Sequence, residues 1–155
     1  MKKWAIFLLG FGLVTSCQNY PKDPDDTLAK VKNGQLLVGY SINPPWVVKG
    51  QPEPTVLEAE LIKEFARTLQ AKVIWHYDSE QDLFEKLEKR ELHVVIAGLT
   101  HKNSWSSKIS FSKPYLQNKN KKHVVAVLKG ENAFVLSLEK FMHKQWPKLK
   151  TAASL

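Results

Sequence analysis

With 155 residues the chain has room for one compact domain with a core of its own, so a disulfide or structural metal is not needed to hold it. A single cysteine excludes an intramolecular disulfide. The formal charge of +8 raises nucleic acid as a partner, but the lysines are spread along the chain apart from Lys119, Lys121 and Lys122, which fits an anionic lipid or cell-wall surface better.

The amino terminus reads as an export signal. Lys2 and Lys3 precede an uncharged apolar run from Trp4 to Val14, too short to span a bilayer, and small residues Thr15 and Ser16 follow. Leu13-Val14-Thr15-Ser16-Cys17 resembles the lipobox of bacterial lipoproteins. That resemblance implies cleavage after residue 16, acylation of Cys17 and attachment to the membrane by several fatty chains, since one chain alone binds only marginally. Gln18 after the cysteine leans towards the outer membrane over the inner, on the periplasmic side. Loss of Lys2 and Lys3 with the leader lowers the positive surplus from eight to six.

Residues 17–34 are polar and rich in Pro and Asp, which reads as a tether with a short helical turn at 27–32. A strand is expected at Leu36–Tyr40, stopped by Asn43-Pro44-Pro45-Trp46, and a short extended piece at 47–51 turning at Gly50. Leu57, Leu61, Ile62, Phe65 and Leu69 form one face of a helix, with Thr55 and Glu58 spaced as a capping box. Val73–Tyr77 reads as a strand, and 80–90 as a helix capped by Asp78 or Ser79. His93–Gly98 is a strand whose unbroken apolar character suits a central parallel position. His123–Leu128 is a fourth strand, and a helix from about Asn132 to Lys144 is expected to stop before Pro147. The domain is thus placed at 35–146, with a flexible tail at 147–155. Strands alternating with helices predict an α/β fold with a mostly parallel sheet flanked by helices.

Four of these pieces, in order, resemble the first lobe of bacterial extracellular solute-binding proteins of the polar amino-acid type, family 3. They are Leu36-Leu37-Val38-Gly39 with Asn43-Pro44-Pro45-Trp46; Val56-Leu57-Glu58-Ala59-Glu60-Leu61; His93-Val94-Val95-Ile96-Ala97-Gly98-Leu99-Thr100; and Phe111-Ser112-Lys113-Pro114-Tyr115. The resemblance implies one lobe of the periplasmic-binding-protein type II fold. In that family a second lobe follows this point; here only Leu116–Lys122 lies between Tyr115 and a segment similar to the returning strand, so the second lobe looks excised.

What the resemblance implies for a site is a ligand-facing rim of Pro45, Trp46, Gly98, Leu99 and Thr100, with Glu58 where relatives often carry an Asp near the cleft. The arginine that clamps a ligand carboxylate in amino-acid binders corresponds to Trp105; Lys102 stands nearby but is a point charge, not a fork. The histidines show no paired metal-ligand spacing and the serines no nucleophile elbow, so no metal, cofactor or catalytic role is assigned. The expected partners are the membrane through the anchor, a small solute such as an amino acid, and an envelope or transporter protein supplying the missing lobe. The alternative is a non-catalytic interaction module docking a protein on the exposed former inter-lobe face.

Overall fold

The computed structural model describes residues 22–152, except residues 56, 103 and 119. The leader, Cys17 and residues 153–155 lie outside the described residues. In chain order the elements are α1 (Thr27–Val31), β1 (Gln35–Tyr40), α2 (Leu57–Thr68), β2 (Lys72–Tyr77), α3 (Glu80–Glu88), β3 (Val94–Ile96), β4 (Ser110–Phe111), β5 (Leu116–Asn118), β6 (Lys121–His123), β7 (Ala126–Val127) and α4 (Asn132–Ala152). A 3₁₀ turn at Ser104–Ser107 precedes β4.

The main sheet has the order β2-β1-β3-β7-β4. β1 pairs in parallel with β2 on one side and β3 on the other, whereas β7 runs antiparallel to both β3 and β4. The expected mostly parallel sheet is present, with β7 as its antiparallel member. Alternating residues of β3 face opposite ways, as the pleat requires. Val94 and Ile96 join Leu36 and Val38 under Phe65 of α2 and Phe134 of α4, while Val95 joins Leu83, Phe84 and Leu87 of α3 on the other side. Burial on both faces explains why β3 reads as an unbroken apolar run. Each fully buried Leu or Phe in these two layers contributes about 1.5–3 kcal/mol.

Three sequence expectations change. Residues 22–34, assigned to a tether by composition, join the folded unit: Thr27 and Val31 are buried. Asp23 accepts hydrogen bonds from the Leu28 amide (2.9 Å) and from the first-turn amides of α4 at Ala133 (2.6 Å) and Phe134 (3.0 Å). One carboxylate thus serves the starts of two helices, where an unmet amide would cost about 1 kcal/mol. The buried Glu131 accepts from the amides of Asp25 and Thr27, tying the same segment down.

Pro147 does not end α4. Its ring removes a single backbone donor, and continuation of the helix buries Leu149 against the core. Finally, the single strand expected at 123–128 divides. β6 pairs with β5 in a separate hairpin, and only β7 enters the main sheet. The polar stretch where the second lobe would stand is therefore a hairpin, zipped to the end of β3 by a bridge between Thr100 and His123 and by the His101 amide donating to the Lys122 carbonyl (3.0 Å). Among the described residues no helix is long and apolar enough to cross a membrane.

Candidate functional site

The carboxyl ends of β1 and β3 lie side by side, and the chain leaves both in turns. The Ser41 amide donates to the Ile96 carbonyl, holding the two exits together. After β1 the chain turns back at once: the amides of Trp46 (2.8 Å) and Val47 (3.0 Å) both donate to the Asn43 carbonyl. The Asn43 side chain donates to the Ala97 carbonyl (2.7 Å), fastening this turn to the β3 exit. Crevices at such strand ends are the usual ligand sites of open α/β sheets.

Gly98 sits at the centre with φ +62°, and a Cβ there would lie 2.5 Å from Trp46 Cδ1 and 2.8 Å from Asn43 Nδ2. Glycine is required twice over, for the left-handed backbone and for the approach of the indole. Trp46 stacks on His123 with ring centroids 3.8 Å apart. The resulting cleft, of about 590 Å³, is lined by Asn43, Pro44, Trp46, Gly98 and Thr100 on the lobe and by Asn120, Lys121 and His123 on the hairpin.

Beneath the cleft lies a buried polar pair. Glu58, fully buried, accepts from the Gly98 amide (2.8 Å) and from the Tyr115 hydroxyl. Burial pushes the Glu58 carboxyl up to about 7 against the pull of these two donors, and burial together with the neighbouring carboxylate raises the Tyr115 hydroxyl well above its ordinary range. The Glu58 side chain is therefore committed to Gly98 and Tyr115, and does not close a capping box with Thr55. Thr55 instead bridges to Val48. His123 is 3% exposed and its Nδ1 has no hydrogen-bond partner among the described residues. Burial holds its pKa below the usual histidine range, with a backbone contact to Gly98 pulling the other way.

Of the residues singled out from the sequence, Trp46, Gly98 and Thr100 meet in the cleft. Glu58 supports it from below and is closed to solvent. Leu99 points the other way, into the core under α3, because neighbours along an extended chain alternate faces. Pro45 is exposed, and its neighbour Pro44 lines the cleft instead. Lys102 lines an adjoining hollow. Trp105, which the sequence resemblance sets at the position of the family's arginine, packs against Phe84 (centroids 5.5 Å apart) beside the core. Sequence reasoning missed Asn43, Asn120, Lys121 and His123. Asn43 belongs to the Asn43-Pro44-Pro45-Trp46 turn, a local signal; the other three reach the cleft only through the long-range pairing of the hairpin. Among the described residues no group of three His, Cys, Asp or Glu side chains is placed to hold a metal.

A parallel-led sheet with helices on both faces and a crevice at the strand exits defines one lobe of the periplasmic-binding-protein fold. The arginine-bound form of domain 1 from TmArgBP superposes with a TM-score of 0.67 at 23% identity, covering 75% of this chain and 97% of that one. The chain belongs to the bacterial extracellular solute-binding proteins, family 3, whose sequence pattern matches residues 36–154. It is also 31% identical over 115 residues to a membrane-bound lytic murein transglycosylase F of Idiomarina loihiensis (72% of this chain, 25% of that protein). A transglycosylase of the same name from Maricaulis maris is 30% identical over 126 residues (74% and 27%). The chain spans about a quarter of the length of these relatives.

Proposed function

We propose that this protein is an exported, lipid-anchored component of the bacterial envelope whose single lobe presents an open half-site to a small solute for sensing or transport, without catalysing a reaction. The observation that carries this reading is the cleft at the β1 and β3 exits, built from Asn43, Trp46, Gly98 and Thr100 and held from below by Glu58. The family membership supports a solute as its occupant, and the arginine-bound form of a lone TmArgBP domain is in keeping with binding by one lobe. The relatives are named membrane-bound, in keeping with an anchor at Cys17. A half-site buries less of a ligand than the 70–90% usual of a formed pocket. Binding is accordingly weak alone, or strengthened by a partner that closes the open side.

Two measurements test this. Cys17→Ser is expected to abolish fatty-acid labelling and shift the protein from the membrane pellet to the soluble periplasmic extract; an unchanged pellet fraction removes the anchor from the reading. The Cys17→Ser chain, which keeps every described residue, is then melted against amino acids, small organic acids and muropeptides. A ligand at a hundredfold its Kd stabilises by about 2.7 kcal/mol, and that gain is expected to disappear in Trp46→Ala and in Thr100→Ala. A well-folded protein that shifts with no compound would turn the cleft into a protein-docking face.

A further inference from the structure

The hairpin does more than bridge Tyr115 to His123. Its Asn120, Lys121 and Lys122, with Thr100, His101 and Lys102, line a second hollow of about 250 Å³. Thr100, Asn120 and Lys121 line both hollows, so the two adjoin and together make up the groove at the hairpin. Among the described residues, no Asp or Glu lines either part. Among the described residues, Lys102, Lys121 and Lys122 enter none of the ion pairs, in contrast to Lys63, Lys86, Lys108 and Lys113.

Three unneutralised ammonium groups on one rim repel each other and raise the local concentration of anions. At the floor of the groove, the buried Nδ1 of His123 lacks a partner among the described residues, an unmet desolvation cost that a polar group of a ligand relieves. Trp46, itself half-buried, lies against the imidazole with ring centroids 3.8 Å apart.

We propose that the groove selects an anionic solute, its carboxylate or phosphate held among Lys102, Lys121 and Lys122 and its remainder lying along Trp46 towards His123. This inference rests on the solute-binding reading above and names its ligand class. The selecting residues come from the hairpin and the adjoining turn, not from the position at which the family carries its carboxylate-clamping arginine, and which Trp105 fills here. Point charges on flexible stems suit either oxyanion, since no planar fork is present to prefer one.

The test uses the Cys17→Ser chain at low ionic strength, titrated calorimetrically with citrate, glucose 6-phosphate and L-arginine, and sedimented with vesicles of phosphatidylcholine and phosphatidylglycerol. Citrate or the sugar phosphate is expected to bind, arginine not to. The exposed triple variant Lys102→Glu, Lys121→Glu, Lys122→Glu is expected to keep its fold by circular dichroism and to lose about tenfold or more in affinity, the factor that 1.4 kcal/mol represents. The anion is also expected to move the His123 ring resonances in wild type and not in the triple variant. Equal affinity in the triple variant overturns the proposal. Binding of arginine with no anion binding overturns the anionic class and leaves solute binding standing. Binding by none of the soluble probes overturns both, and binding to vesicles alone makes the lysines a membrane-facing patch.

Discussion

Gly98→Ala is expected to destabilise the protein by about 2–4 kcal/mol and to dislodge Trp46 from His123. The two causes are separable. A non-glycine residue held at φ +62° carries a backbone penalty of about 1 kcal/mol or more. The new methyl would also stand 2.5 Å from Trp46 Cδ1 and 2.8 Å from Trp46 Cγ, so the indole must leave its place, and overpacking of this kind costs about 1–3 kcal/mol. Asn tolerates the left-handed region better than Ala, but its Cβ meets the same ring. If backbone strain dominates, Gly98→Asn recovers most of the loss; if the clash dominates, Asn and Ala are equally poor. Adding Trp46→Ala to Gly98→Ala removes the clash with the indole and leaves the strain together with the approach to Asn43 Nδ2 (2.8 Å). Urea unfolding of these three variants against wild type decides the matter. A Gly98→Ala protein of wild-type stability, with the Trp46 indole resonance unmoved, would mean that the cleft does not depend on the close approach at Gly98.

How much of this site could be read from the residues depends on how local each contact is. Helices α2 and α3 follow from apolar spacing and strands β1 and β3 from short apolar runs, because burial on one or both faces writes itself into neighbouring positions. The Gly98 exit is local in the same way. Its alternation also predicts that Leu99 faces away from Gly98 and Thr100, a step that the resemblance to family members obscured by treating the three as one rim. What escaped is non-local. Asp23 looks like a loop residue until α4, some 110 positions later, brings its first amides to it. Glu58 has nothing in its helix neighbourhood to mark it as buried, since its two donors come from Gly98 and Tyr115. Leu116–Lys122 reads as a polar connection, and its chemical importance arises only when Lys122 pairs with His101 and delivers Lys121 and His123 to the cleft. Pro147 is a different case: the general penalty of a proline inside a helix is local, and the burial of Leu149 that offsets it lies beyond the proline.

Glu58→Gln is expected to make the protein more stable than wild type at pH 8, with the advantage vanishing near pH 4. The folded-state pKa of Glu58 is raised from 4.5 to about 7, so between these values the folded protein holds a proton that the unfolded chain releases. Stability from this group is full below pH 4.5, falls as pH rises, and is lost above about 7, where the carboxylate is ionised in both states. At 1.36 kcal/mol per unit, the drop is on the order of 3 kcal/mol. Glutamine keeps an oxygen for the Gly98 amide and meets the Tyr115 oxygen with its own amide, and it carries no charge at any pH. The wild-type profile alone does not isolate the effect, because His93 and His123 both have pKa values lowered first of all by burial. Lowered histidines bind fewer protons when folded, so their contribution grows as pH climbs towards 6.5, against the Glu58 trend. The difference between Glu58→Gln and wild type cancels the histidines and leaves Glu58. Chemical denaturation at steps between pH 4 and 8 therefore gives a difference that rises to a plateau near pH 7. A flat difference would mean that Glu58 is already ionised at low pH, its charge fully met by Gly98 and Tyr115. The pair would then be a rigid ionic support for the cleft, whereas a sloping difference makes the carboxyl under Gly98 a group that takes up a proton between about pH 7 and pH 4.5.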